Sequence, residues 1–203
     1  MKPFRIAVPK GNVSISTLFR RMGYRLPDDF DESRKYIIPV DGTKLEFVLA
    51  KEIDIPTYVE YGVADVGIVG KDVLLEEKRD IYELLDLGIS LGSISVMGMS
   101  KKVVSNPRVA TNYPKITSKH FKEKGIQAEI VKLNGGLELA LLSGLVDYIV
   151  EAAYEGTFSK FNFIEIEKVC NISCRLIANI VSFHVNNNLV EKIYEDIYRY
   201  SLR

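Results

Sequence analysis

Pro9-Lys10-Gly11-Asn12, Gly70-Lys71-Asp72 and Asn134-Gly135-Gly136 are the places where residue types in this chain converge on one kind of chemistry. Each follows a short apolar run and opens an amphipathic stretch, so each reads as a strand-to-helix turn. At a helix start the first backbone N–H groups lack partners and the dipole is positive, which favours anions. Glycine there lets the backbone approach a ligand. Lys10 adds a point charge suited to phosphate. One such turn is more often structural than functional. Three on one α/β background point to a phosphorylated ligand.

Composition narrows the classes. Lys plus Arg number 27 and Asp plus Glu number 27, so formal charge is zero. A nucleic-acid binder usually carries a basic excess, so no nucleic-acid partner is expected. No run approaches the roughly 20 apolar residues of a membrane span. The apolar run Ile6–Val8 is too short for a signal peptide, so a cytoplasmic location and no membrane partner are expected. Cys170 and Cys174 stand in a β-rich run, where both fall on one face of a strand. Two cysteines cannot complete a zinc site, and His120 and His184 lack ligand spacing around them. Buried, inert thiols and no protein metal site are expected.

The elements that must position the three turns alternate. Strands are expected at Phe4–Val8, Lys35–Val40, Leu45–Ala50, Val66–Val69, Ile94–Met99, Arg108–Thr111, Gln127–Leu133, Val146–Val150, Ile164–Val169 and Arg175–Phe183. Helices are expected over Ser14–Met22, from Asp54 as cap to a stop at Gly62, and over Lys115–Lys124, Leu137–Ser143 and Leu189–Tyr200. Val190, Ile193, Ile197 and Tyr198 form the apolar stripe of the last helix. Such alternation predicts α/β lobes with largely parallel sheets. Leu87–Ser90 and the run near Cys170 are the candidate crossings, giving one lobe of residues 1–89 plus 170–203 and a second of residues 90–169.

The string DIPTYVEYGVADVGIVGKDVLLE, beginning at Asp54, resembles the ATP phosphoribosyltransferases that open histidine biosynthesis. PKG at Pro9–Gly11 resembles that family's LPKGR, RVATNYP at Arg108–Pro114 its RIATKYP, and VKLNGGLELA at Val131–Ala140 its IKLNGSVELAP. The similarity runs from about residue 4 to 184. It implies an α/β, two-lobed fold like that of type II periplasmic binding proteins, with a cleft between lobes. It also implies the short form, without a C-terminal regulatory domain.

The implied reaction is attack by N1 of the ATP adenine on the anomeric carbon of phosphoribosyl pyrophosphate, with inversion and loss of magnesium-bound pyrophosphate. Such a glycosyl transfer needs two polyanions held in line and cations over the leaving group. By position, the resemblance assigns Lys10, Arg34 and Lys51 to phosphate and pyrophosphate contacts. It assigns Gly11, Asn12, Gly70, Lys71 and Glu138 to ATP, Glu138 alternatively pairing with a nearby lysine. It assigns Glu151, Glu155, Gly156, Thr157, Phe158 and Ser159 to the loop for phosphoribosyl pyrophosphate. Mg2+ enters with the substrate. The partners implied are ATP, phosphoribosyl pyrophosphate, a second copy in a homodimer, and a histidyl-tRNA-synthetase-like regulatory subunit in a hetero-octamer.

The loop departs from the family's pattern of small and hydroxyl residues around its glycine. Tyr154 and Glu155 precede Gly156, Phe158 follows Thr157, and Asn12 replaces an arginine. A negative charge in a phosphate cup opposes binding. The alternative of a different class is therefore a non-catalytic or regulatory paralogue that binds nucleotide but takes phosphoribosyl pyrophosphate poorly.

Overall fold

The computed structural model describes residues 2–153 and 162–201. The chain divides into two compact units, residues 1–89 with 173–203, and residues 90–172.

The first unit is built on strands that read as near-continuous apolar runs, as strands covered on both faces do. These are β1 (Phe4–Pro9), β3 (Leu45–Ala50) and β4 (Val66–Gly70). β1 lies parallel to β3, with Phe4 opposite Leu45 and Pro9 opposite Ala50, and parallel to β4 through Ile6 and Val66. The short β2 (Ile37–Pro39) adds antiparallel to β3. On the other side β9 (Ile164–Asn179) adds antiparallel to β4.

Helix α1 (Val13–Arg21) covers the sheet with Phe19, whose ring meets Phe47 edge-on at 4.8 Å. Phe30 packs on the same Phe47 ring at 5.3 Å. Helix α2 (Ile55–Glu60) lies over β4 at Gly67. A Cβ built there would stand 2.8 Å from Val59 Cγ2 and 2.9 Å from Ile55 Cγ2, so glycine is required for the close approach. α3 (Lys71–Glu76) follows β4 directly.

In the second unit β6 (Arg108–Thr111) lies between β7 (Glu129–Lys132) and β8 (Tyr148–Ala153), parallel to both. The later half of β5 (Ile81–Gly98) runs antiparallel to β8. Helices α4 (Pro114–Glu123) and α5 (Leu137–Leu142) complete the βα turns. The core gathers Ile94, Val109, Val150 and Phe121 on one face, and Met97, Ala110, Leu137 and Ile149 on the other. No helix among the described residues is long and apolar enough to cross a membrane.

The units divide between Ile89 and Ser90 and between Ile172 and Ser173, inside the 18-residue β5 and the 16-residue β9, so the chain passes from unit to unit at Leu87–Ser90 and near Cys170 within continuous strands. Several other expectations need correction. The expected strand Arg175–Phe183 ends at Asn179, where α6 (Ile180–Val185) begins. Asn179 overrides the β-branched Ile180-Val181, its Oδ1 accepting from Ser182 N at 2.9 Å. Asp54 makes no cap hydrogen bond, because a 3-10 turn over Glu52–Asp54 already gives it helical dihedrals. The sheets are mixed, since β2, β8 and β9 each make an antiparallel pair. In α7 (Asn187–Ser201) Val190, Ile193 and Ile197 are buried, whereas Tyr198 lies outside the stripe and stacks on Tyr194 at 6.1 Å.

Candidate functional site

Parallel pairing brings the carboxyl ends of β1 and β3 side by side. Lys10 N–H donates to Ala50 O at 2.9 Å, locking the two turns together. Lys10, Gly11, Asn12, Lys51 and Glu52 then line one open depression of about 470 Å³. Ligands of open α/β sheets bind beyond strand ends of this kind.

Gly11 has φ +76, a conformation that only glycine adopts without strain. Asn12 is the cap of α1, its Oδ1 accepting from Ile15 N at 3.3 Å. The residue expected to touch ATP is thus partly committed to shaping the helix start beside it.

Lys10, Arg34 and Lys51 are all exposed, and none forms an ion pair with a described residue. Lys10 Nζ sits 5.2 Å from the centre of the Tyr36 ring, a cation–π contact. Cations left without carboxylates are ready for an anionic ligand. Arg34 lies in the segment between α1 and β2, which is tied down by buried Phe30 and Ser33. Sequence reasoning missed both supports, and it missed Tyr36. A lone phenylalanine in a polar, charged stretch was the available signal.

The turn after β4 is used differently. Gly70 N–H donates to Glu52 Oε1 at 2.8 Å, and Lys71 Nζ pairs with Glu83 at 2.6 Å. The backbone donor and the ammonium expected to meet a ligand are both engaged within the protein. Burial pushes the Glu52 carboxyl above its usual range, with the Asp72 charge adding to the effect and the Gly70 N–H opposing it. Burial, helped by Glu52, Asp72 and Asp86, also pushes the Cys174 thiol up to about 12. That thiol is inert at neutral pH.

In the second unit two acids, Glu138 and Glu151, fall in α5 and β8. Gly135 at φ +156 and Gly136 at φ +64 make the turn into α5. Glu138 falls in the first turn of that helix. Glu151, on β8, has its carboxyl pushed up by burial first and then by the Glu138 charge. The two carboxylates are therefore near neighbours, suited to accept hydrogen bonds from hydroxyls or an amine. Thr111 stiffens the adjacent β6 end, its hydroxyl donating to Val150 O at 2.7 Å and accepting from Tyr113 N at 2.8 Å. Of the expected loop residues, Glu155, Gly156, Thr157, Phe158 and Ser159 lie outside the described residues. Among the described residues no three His, Cys, Asp or Glu side chains converge as a metal site would need.

Known proteins share this sequence and this architecture. The family model HisG: ATP phosphoribosyltransferase matches residues 51–199. The chain is 48% identical over 197 residues to the ATP phosphoribosyltransferase of Bacillus licheniformis, covering 95% of this chain and 92% of that protein. It is 47% identical over 197 residues to the Bacillus subtilis enzyme of the same name, with the same coverage. Among solved structures, the ATP phosphoribosyl transferase (HisG:HisZ) complex from Thermotoga maritima matches with TM-score 0.80 and 26% identity, over 98% of each chain. The periplasmic aliphatic sulphonate binding protein SsuA of Escherichia coli matches with TM-score 0.63 at 11% identity, over 99% of this chain and 69% of that one, a likeness of fold alone. The architecture is the type II periplasmic-binding-protein-like one. By sequence over nearly its whole length, the chain belongs to the ATP phosphoribosyltransferase family.

Proposed function

We propose that this protein transfers the phosphoribosyl group of phosphoribosyl pyrophosphate to N1 of ATP, releasing pyrophosphate, the first step of histidine biosynthesis. One observation carries the reading: 48% identity over 95% of the chain to an enzyme of that name. Lys10, Arg34 and Lys51 hold the phosphate groups, assisted by backbone N–H groups at the start of α1. Positioning and charge stabilisation are what a displacement at an anomeric carbon asks of a protein. Glu151, with the loop that follows it, takes the phosphoribosyl moiety, and Glu138 faces the nucleotide. Gly70 and Lys71 act at one remove, the first holding Glu52 beside Lys51. Magnesium arrives bound to the pyrophosphate as part of the substrate.

The Thermotoga maritima relative is a HisG:HisZ complex. In the same reading this chain forms a homodimer and joins a histidyl-tRNA-synthetase-like regulatory subunit in a hetero-octamer in the cytoplasm. Tyr154, Glu155 and Phe158 favour the second reading, a paralogue that binds nucleotide but not phosphoribosyl pyrophosphate. Calorimetric titration separates the two. Micromolar binding of magnesium phosphoribosyl pyrophosphate, weakened in Lys51→Ala, supports the enzyme. Binding of ATP without any binding of phosphoribosyl pyrophosphate, alone or with the regulatory subunit, supports the paralogue.

A further inference from the structure

The opposite end of the first unit's sheet holds a cavity of about 560 Å³ that the reaction does not use. It opens at Phe4 and Leu45, the first residues of β1 and β3. Lys10 and Lys51 follow the last residues of the same strands, roughly 20 Å away at about 3.3 Å per residue. Its size is that of a small-molecule site. Phe4, Leu45 and Ile193 give it an apolar wall, with Phe4 and Ile193 buried.

The charges around it are unbalanced. Arg25, Lys44 and Lys192 line the cavity, and none pairs with a carboxylate among the described residues. Of the acids there, Asp65 is already saturated, accepting from Arg5 N at 2.8 Å, Ser182 Oγ at 2.7 Å and Asn186 Nδ2 at 3.2 Å. Asp196 accepts from the Tyr24 hydroxyl at 3.5 Å. Burial, then Asp196, pushes that phenol up to about 12, so it stays protonated. Asp41, exposed on the β2–β3 turn, is the one acid of the lining left without such a commitment among the described residues. With Lys2, whose Nζ donates to Gly62 O at 2.7 Å, four cations and three carboxylates line the cavity, a small positive excess beside an apolar wall.

We infer that this cavity is a second ligand site, for a small amphipathic anion: an aromatic or aliphatic body bearing one carboxylate or sulfonate. The body lies on Phe4, Leu45 and Ile193, and the acid group meets Lys44, Lys192 and Arg25. Surface cations of this kind add modest energy singly, and more when a desolvated apolar contact fixes the geometry.

The probe is 8-anilinonaphthalene-1-sulfonate, titrated by fluorescence into the whole chain, with uncharged N-phenyl-1-naphthylamine as control. One saturable site is expected, not displaced by ATP or phosphoribosyl pyrophosphate. The double variant Lys44→Glu/Lys192→Glu should weaken the sulfonate by about tenfold or more, the loss of roughly one charge-assisted contact, and leave the neutral amine nearly unchanged. Leu189→Trp, at the exposed rim, should weaken both. Unaltered circular dichroism shows that the variants fold. Absence of a saturable site, displacement by ATP, or equal sulfonate affinity in the charge-reversed variant would overturn the assignment.

Discussion

Three exposed cations without carboxylate partners among the described residues, Lys10, Arg34 and Lys51, define the candidate chemistry at the scale of single residues. Each is solvated, so truncating one should leave stability nearly unchanged. Each should matter to a polyanionic substrate. Lys10→Ala and Lys51→Ala are expected to lower kcat/KM by about 10- to 100-fold, the loss of one hydrogen bond to a charged group. Steady-state kinetics checks this, and an unchanged kcat/KM with both substrates would remove the residue from the site. Glu52 makes a different prediction. Its folded-state pKa is raised, so the folded protein holds its proton to higher pH than the unfolded chain. Stability from this group is therefore full below the ordinary carboxylate pKa and falls as pH climbs through the folded value. Glu52→Gln keeps an acceptor for Gly70 N–H and abolishes that fall. Relative to the parent, the urea midpoint of the variant should therefore stand lower at about pH 4 than at about pH 7; the same offset at both pH values would contradict the assignment.

At the scale of elements, side chains that lock a joint outweigh local propensity. Asn179 caps α6 and donates through Nδ2 to Val59 O at 2.8 Å and Glu60 O at 3.1 Å. Both carbonyls end α2; Val59 O also accepts from Gly62 N–H at 3.0 Å, so Glu60 O depends on Asn179 the more. Asn179→Ala should cost about 2–3 kcal/mol, the sum of a lost cap and unsatisfied buried groups. Gly67→Ala should cost about 1–3 kcal/mol, because the new methyl overlaps Val59 and Ile55. Chemical denaturation measures both, and a neutral Gly67→Ala would mean that α2 shifts freely off β4. Neither residue was legible beforehand: Asn179 fell inside an expected strand, and the close approach at Gly67 depends on α2. Gly11 and the Gly135-Gly136 pair were readable because a positive φ leaves a compositional trace. Strands Leu45–Ala50 and Arg108–Thr111 were readable because an apolar run bounded by polar residues has one reading. The lengths of β5 and β9 were not, because alternating residues such as Glu83, Asp86 and Lys168 look like surface loop until a neighbouring strand supplies their pairing. Nor was the use of Gly70 and Lys71, since Glu52 and Glu83 lie 18 and 12 residues away in sequence.

At the scale of the molecule, zero net charge coexists with two lysines, Lys10 and Lys51, gathered at neighbouring strand ends of the first unit. Attraction of a polyanion is then a local field rather than a global one. Substrate association should slow as salt rises from low to physiological ionic strength, where the Debye length is about 8 Å. Stopped-flow binding of magnesium phosphoribosyl pyrophosphate checks this, and a salt-independent rate would contradict it. The central claim concerns the reaction itself. Purified chain, alone and with its regulatory subunit, should be incubated with ATP, phosphoribosyl pyrophosphate and magnesium, and the product read by phosphorus and proton NMR. The account predicts an N1-ribosylated ATP with inverted anomeric configuration and one pyrophosphate per product. Folded protein that gives no such product under either condition would contradict it.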